Sequence, residues 1–160
     1  MRITAAASEM SALAVTALPP VASILATTAS AKDGFTVVVN YAGNAASAEA
    51  VVARIEAAGG KAVTAKADIS DAAAVPRMFD TVETAFGGVD VLINNAGIMN
   101  LATIADSDDA LFDRTIAVNL KGTFNTLREA AKRLRDGGRI VNFSSSVVGL
   151  LQPTLSLIHI

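Results

Sequence analysis

The chain has no cysteine, no tryptophan, one tyrosine and one histidine, and no glycine before Gly34. Without cysteine there is neither a disulfide framework nor a thiolate metal site. An excess of charge of one sign is also missing: 13 Lys and Arg against 15 Asp and Glu leave a formal charge of -2. That balance gives no electrostatic reason to expect nucleic acid or an anionic membrane as partner. No run reaches the ~18 apolar residues that a spanning helix requires. These absences fit a cytoplasmic protein. With so few aromatics, the core must come from Ala, Val, Ile and Leu. The 160 residues, 52% hydrophobic and 18% charged, have the composition of one soluble domain, residues 1–160. A chain of this size buries roughly 68–70% of its unfolded surface. The Ala-rich opening resembles a secretory signal, but Glu9 precedes its apolar stretch, Pro19 and Pro20 interrupt it, and only Arg2 is positive. The expectation is therefore no signal peptide.

From Gly34 onward the pattern is regular. Residues 35–41, "FTVVVNY", form a β-branched run suited to a strand buried on both faces. Ala48, Val51, Val52 and Ile55 recur at helical spacing and run to Gly59 and Gly60, which predicts a helix over 47–60. A strand follows over 61–69, then a helix over 70–88 capped by Ser70 or Asp71 and closed by Gly87 and Gly88. Residues 89–97 read as a strand, 107–138 as a long helical stretch ended by paired glycines, and 139–146 as another strand. Upstream, 12–16 adds a fifth. Strands alternating with such helices predict an α/β fold, a Rossmann-like doubly wound parallel sheet of about five strands, incomplete. Ligands of such sheets bind beyond the carboxyl ends of the strands. This singles out Thr16, Asn40 and Tyr41, Asp68 and Ile69, the string "INNAG" ending at Gly97, and Ser144, Ser145 and Ser146.

"INNAG" presents two amides and a glycine where a strand leaves the sheet, so a ligand platform and an ordinary polar turn both fit. Its company favours the platform. "VNLKGTF" follows at 118–124 and "GGRIVNFSSS" at 137–146. In this order and spacing the three strings resemble the short-chain dehydrogenase/reductase family, near the bacterial 3-oxoacyl-carrier-protein reductases, over residues 32–154. The resemblance implies a nicotinamide cofactor, a small carbonyl or alcohol substrate and a homo-oligomer, often a tetramer. It places Asn94, Asn95, Ala96 and Gly97 against the adenosine and ribose side, with Asp68 and Ile69 flanking adenine. Asn119 would be the catalytic asparagine whose distorted backbone binds a water; a polar residue facing solvent is the other reading. The catalytic serine falls on Ser145 when counted from the start of its strand, and on Ser146 when aligned on the following "SVVG"; the strand count is preferred. Its hydroxyl would bond the substrate carbonyl. Relatives preferring NAD carry an acid at the end of the second strand, where a carboxylate would repel the 2′-phosphate of NADP. Here Asn40 and Tyr41 are neutral, so NADP is favoured over NAD.

The sequence departs from the family twice. The glycine-rich turn after strand one, whose amides receive a pyrophosphate, is absent. Residues 17–30 read "ALPPVASILATTAS", and two prolines remove donors and fix φ. Such a loop is expected to bind a diphosphate poorly. Codons for residues 19–23, read two bases later, permit Ser-Arg-Gly-Ile, so a local frame slip over 17–31 is expected. The second departure is the Tyr-x-x-x-Lys of the family, in which tyrosine is the general acid and lysine lowers its pKa. Neither residue appears after Thr154. "LSLIHI" resembles the translation of a transposon end used in sequencing libraries, so 155–160 is expected to be a foreign tail. His159, with no lysine four residues on, is not read as an acid. The chain is accordingly expected to be an inactive fragment, with the strand over 139–146 leaving an apolar edge. A non-catalytic dinucleotide-binding or regulatory domain is the alternative.

Overall fold

The computed structural model describes the backbone of residues 11–15 and all of residues 34–143. Five strands lie in one parallel sheet: β1 (Ser11–Val15), β2 (Thr36–Tyr41), β3 (Lys61–Lys66), β4 (Val89–Asn94) and β5 (Leu134–Asn142). Their order is β3-β2-β1-β4-β5. Parallel neighbours need crossovers, supplied among the described residues by helices α1 (Ala45–Ala57), α2 (Ala74–Phe86), α3 (Asp109–Thr115) and α4 (Thr123–Arg133). Strand order reverses at β1, which pairs with β2 on one side and with β4 on the other. The register sets Val15 of β1 beside both Asn40 and Asn94. Thus the ends of the central strands carry the polar residues, at the switch point where doubly wound sheets bind ligands.

Period-two alternation in β2 builds both layers of the core. Val37 and Val39 pack with Ala48, Val51 and Ile55 of α1. Val38 faces the opposite way, toward Met78, Phe79 and Val82 of α2, Leu92 of β4 and Ala130 of α4. Each fully buried Val, Ile or Phe contributes about 1.5–3 kcal/mol relative to exposure, and this drives the two layers onto the sheet. No described helix is long and apolar enough to cross a membrane.

The structure corrects several expected boundaries. Helix α1 starts two residues early because Asn44 caps it, accepting from the Ser47 amide at 3.1 Å. Strand β3 stops at Lys66, not 69. Neither Ser70 nor Asp71 caps α2, whose cap position is Ala73 with no side-chain bond. Their polar groups build the preceding turn instead: Asp68 Oδ1 accepts from the Ser70 amide and hydroxyl, and Asp71 Oδ1 accepts from the Ala73 amide. Short polar side chains compete for backbone in this way.

The predicted helix over 107–138 is in fact α3, a π-helical segment (Ile116–Gly122), α4 and the start of β5. Its paired glycines end no helix. Val89 pairs with Leu134 but Val91 pairs with Arg139, so residues 135–138 bulge out opposite Asp90. Gly137 sits in that bulge at φ 78°, a conformation open to glycine at little cost. Ile140, Val141 and Phe143 are exposed, and β5 pairs only with β4 among the described residues, so the expected apolar edge is present.

Candidate active site

Asn119 lies in the middle of the π-helical segment, and its carboxamide grips one residue twice. Oδ1 accepts from the Ile98 amide at 2.8 Å while Nδ2 donates to the Ile98 carbonyl at 2.9 Å. This is half of a strand-like pairing made by a side chain, and it fastens the loop leaving β4 onto the helix. The Asn119 carbonyl accepts the Thr123 hydroxyl at 2.9 Å. A solvent-facing role for the Asn119 side chain is excluded, and the backbone distortion implied by the resemblance is present. Single π turns inside helices recur at functional sites. Gly97, exposed, lies close by: a Cβ there would stand 3.5 Å from Asn119 Oδ1.

Asn94 is 7% exposed and is tied at both ends. Thr126 Oγ1 donates to its Oδ1 at 2.8 Å, and its Nδ2 donates to Asn142 Oδ1 at 2.9 Å. It therefore braces the strands and does not aim its side chain at a ligand. Asn95 is half-buried with no side-chain hydrogen bond to another described residue, which leaves its carboxamide available. Ala96 packs against the α2-side core.

On the other side of the switch point, Asn40 corrects the expectation of a ligand-facing amide. It is 2% exposed, and its Nδ2 donates to the carbonyls of Ala65 and Ala67, both at 3.1 Å. Tyr41 is half-buried against the α1-side core. The following Ala42, Gly43 and Asn44 are exposed, and a Cβ on Gly43 would meet nothing within 4 Å. Among the described residues there is room here, and positions 40–44 carry no carboxylate. Asp68 faces Arg114 at 3.4 Å. Burial works to raise its pKa, but the bonds from Ser70 and the Arg114 charge outweigh it and hold the carboxyl below the ordinary range. Ile69 departs from its expected place: its side chain is buried beneath Gly122, where a Cβ would come within 2.7 Å of it. Its carbonyl accepts from Asn125 at 2.8 Å.

The structure thus joins Asn94, Gly97 and Asn119 at the end of β4, and groups Asn40, Tyr41 and Asp68 at the ends of β2 and β3. Thr16, Ser145 and Ser146 lie outside the described residues. Four participants went unnoticed in the sequence: Thr126, Asn142, Asn125 and Ile98. Asn142 at the end of an apolar strand was a usable signal; a threonine in mid-helix was not.

A doubly wound parallel sheet with polar residues lined along its carboxyl ends defines a Rossmann-like nucleotide-binding fold. The sequence pattern described as short chain dehydrogenase matches residues 25–156. The chain belongs to the short-chain dehydrogenase/reductase family of oxidoreductases. It is 43% identical over 124 residues to an uncharacterised oxidoreductase of Methylorubrum extorquens, covering 78% of this chain and 50% of that protein. It is 39% identical over 117 residues to versicolorin reductase of Emericella nidulans, covering 73% and 44%. Among solved structures, a dehydrogenase/reductase from Sinorhizobium meliloti superposes with TM-score 0.86 at 35% identity, over 93% of this chain and 59% of that one. A short chain dehydrogenase from Burkholderia cenocepacia in complex with NADP gives 0.84 at 35% identity, over 92% and 60%. The chain spans about half the length of the curated relatives it matches.

Proposed function

We propose that the protein is an NADP-dependent oxidoreductase acting between a ketone and a secondary alcohol, and that this chain carries the cofactor side of its site. The observation that carries the reading is the π-helical turn centred on Asn119 and locked to the loop beside Gly97. A bound nicotinamide would supply the hydride. The described residues suit such a group: the Asn95 carboxamide has no bond to another described residue, Gly97 is exposed, and Asp68 is an ionised acceptor. The end of β2 is neutral and open, which removes repulsion toward a 2′-phosphate. The Burkholderia relative holds NADP, and the Emericella relative is named as a reductase; both favour the same direction. Ser145, with Ser146 as second choice, would donate to the substrate carbonyl and steady charge developing on its oxygen. No Tyr-x-x-x-Lys follows the serines, so the 160-residue chain alone is expected to show no turnover.

A homo-oligomeric, cytoplasmic protein completes the proposal. Phe112, Ile116, Leu120 and Phe124 are exposed at four-residue intervals along α3, the π segment and α4. Asp109 and Asp113 lie toward one end of this stripe, Lys121 and Arg128 toward the other. Two copies packed antiparallel would bury the apolar residues and set opposite charges against each other.

The test is turnover by the product of the whole gene, followed as loss of NADPH absorbance with a panel of ketones. Oxidation of NADPH faster than NADH is expected. Tight NADPH binding without turnover on any carbonyl would favour the regulatory reading, and neither binding nor turnover would defeat both.

A further inference from the structure

Three elements meet at the bottom of the site: α4, the end of β4 and the end of β5. A single line of side chains connects them. Thr126, wholly buried in α4, lies 2.8 Å from Asn94 Oδ1 across a separation of 32 residues. Asn94, at the last position of β4, bonds Asn142 at the last position of β5 at 2.9 Å. The backbone adds one further tie, from the Phe143 amide to the Asn94 carbonyl at 3.3 Å. Beyond it the next residues in sequence are Ser144, Ser145 and Ser146.

This arrangement is unusual for β5. The strand has no second neighbour among the described residues, and Ile140 and Val141 are exposed. Packing therefore contributes little to fixing its end, and the side-chain line must do more of that work. Thr126 also belongs to the same helical stretch as Asn119, seven residues on, so whatever it holds is held relative to the Asn119 segment. Its hydroxyl has one proton and two oxygens at 2.8 Å, Asn94 Oδ1 and the Thr123 carbonyl. The single proton is shared between the two acceptors, which holds the hydroxyl between the helix carbonyl and Asn94.

We propose that Thr126 is a positioning residue, which through Asn94 and Asn142 fixes the end of β5, as far as Phe143, relative to Asn119. The proposal rests on the reading of Ser145 above for its catalytic consequence, but its mechanical part needs no cofactor or substrate. Valine keeps the shape of threonine and removes the hydroxyl; serine keeps the hydroxyl and removes the methyl.

The experiment is amide hydrogen exchange by NMR on the 160-residue chain, comparing wild type, Thr126→Val and Thr126→Ser. In T126V the Phe143 amide should exchange roughly three- to tenfold faster, as expected for loss of one buried hydrogen bond. The side-chain amide signals of Asn94 and Asn142 should shift. The Ile98 amide, held by Asn119, should be unchanged, and T126S should restore the wild-type pattern. Uniform acceleration of every amide, or Phe143 exchange equal to wild type, would overturn the proposal. Should T126V fail to fold, Asn142→Ala breaks the line at its far end: faster Phe143 exchange supports the idea, and no change defeats it. In the whole gene product, T126V should lower kcat while leaving KM for NADPH unchanged, with T126S rescuing; absence of any cofactor binding would count against the proposed function and leave the exchange result standing.

Discussion

Asn119 commits both ends of its carboxamide to Ile98, and that geometry decides what its replacement does. Asn119→Ala leaves the Ile98 amide and carbonyl without partners in a half-buried loop, at a cost of about 1–3 kcal/mol. The Ile98 amide should lose its exchange protection while Phe143 keeps its own. Asn40 leads to a less obvious prediction. Because its position at the end of β2 is where NAD-preferring relatives carry an acid, Asn40→Asp suggests itself as a cofactor switch. Here a carboxylate would replace two donated bonds with repulsion from the carbonyls of Ala65 and Ala67. We expect a loss of about 2–4 kcal/mol in urea denaturation and no gain of NADH preference, since turning two donated bonds into repulsions around a buried charge outweighs any new bond to ribose. The sequence showed that Asn40 and Asn119 mattered by position alone. It could not show their bonds, because the carbonyls that hold Asn40, those of Ala65 in β3 and Ala67 just beyond it, lie 25 and 27 residues away in sequence.

At the scale of elements, the joint between α2 and α4 carries the strongest electrostatics. Arg133 donates to Glu83 and Asp80 at 2.5 Å, to the Pro76 carbonyl at 3.0 Å and to Glu129 at 3.4 Å, and lies over the Phe79 ring at 5.7 Å. Its hydrogen bond and charge hold the Glu83 carboxyl below the usual carboxylate range, against a smaller opposing effect of burial. A carboxyl depressed by folding stabilises above its unfolded pKa, and that contribution is lost as pH falls through the folded value. Stability of the wild type should therefore decline on the acid side below about pH 4.5, the ordinary value for glutamate. Arg133→Met should flatten that decline, read as Tm against pH. Gly122 governs the neighbouring contact. Gly122→Ala drives a methyl into the Ile69 side chain and should cost about 1–3 kcal/mol in urea denaturation. Helix existence was legible in the apolar spacing of α1 and α2. The break of 107–138 into α3, a π turn, α4 and a bulged strand was not, because "VNLKGTF" keeps good helical propensity and the Gly137–Gly138 pair reads as a helix stop whenever the β4 pairing is unseen.

Among the described residues, exposed apolar side chains gather along the α3–π–α4 stripe, on the β5 edge and at Met99, Leu101 and Ile104. If the stripe joins two copies, Leu120→Glu together with Phe124→Glu should convert a concentration-dependent assembly to monomer in sedimentation, with the helical circular dichroism unchanged. Persistence of the assembly in that variant would shift the contact to β5. The doubly wound parallel class followed from the strand and helix rhythm, since βαβ units leave few alternatives. "INNAG" and Asn119 pointed to the candidate site at the end of β4, while the residues that brace it were hidden by their ordinary surroundings. The proposed cofactor site runs along the carboxyl ends of β2, β3 and β4 and is open to a 2′-phosphate. The most direct test is NMR titration of the chain with adenosine 2′,5′-bisphosphate and with adenosine 5′-monophosphate, ligands that need little of a pyrophosphate turn. Shifts confined to Tyr41, Gly43, Asp68, Asn95 and Gly97, with binding about tenfold tighter for the bisphosphate, a difference of about 1.4 kcal/mol, are predicted. Equal affinity for the two, or shifts scattered away from these strand ends, would contradict it.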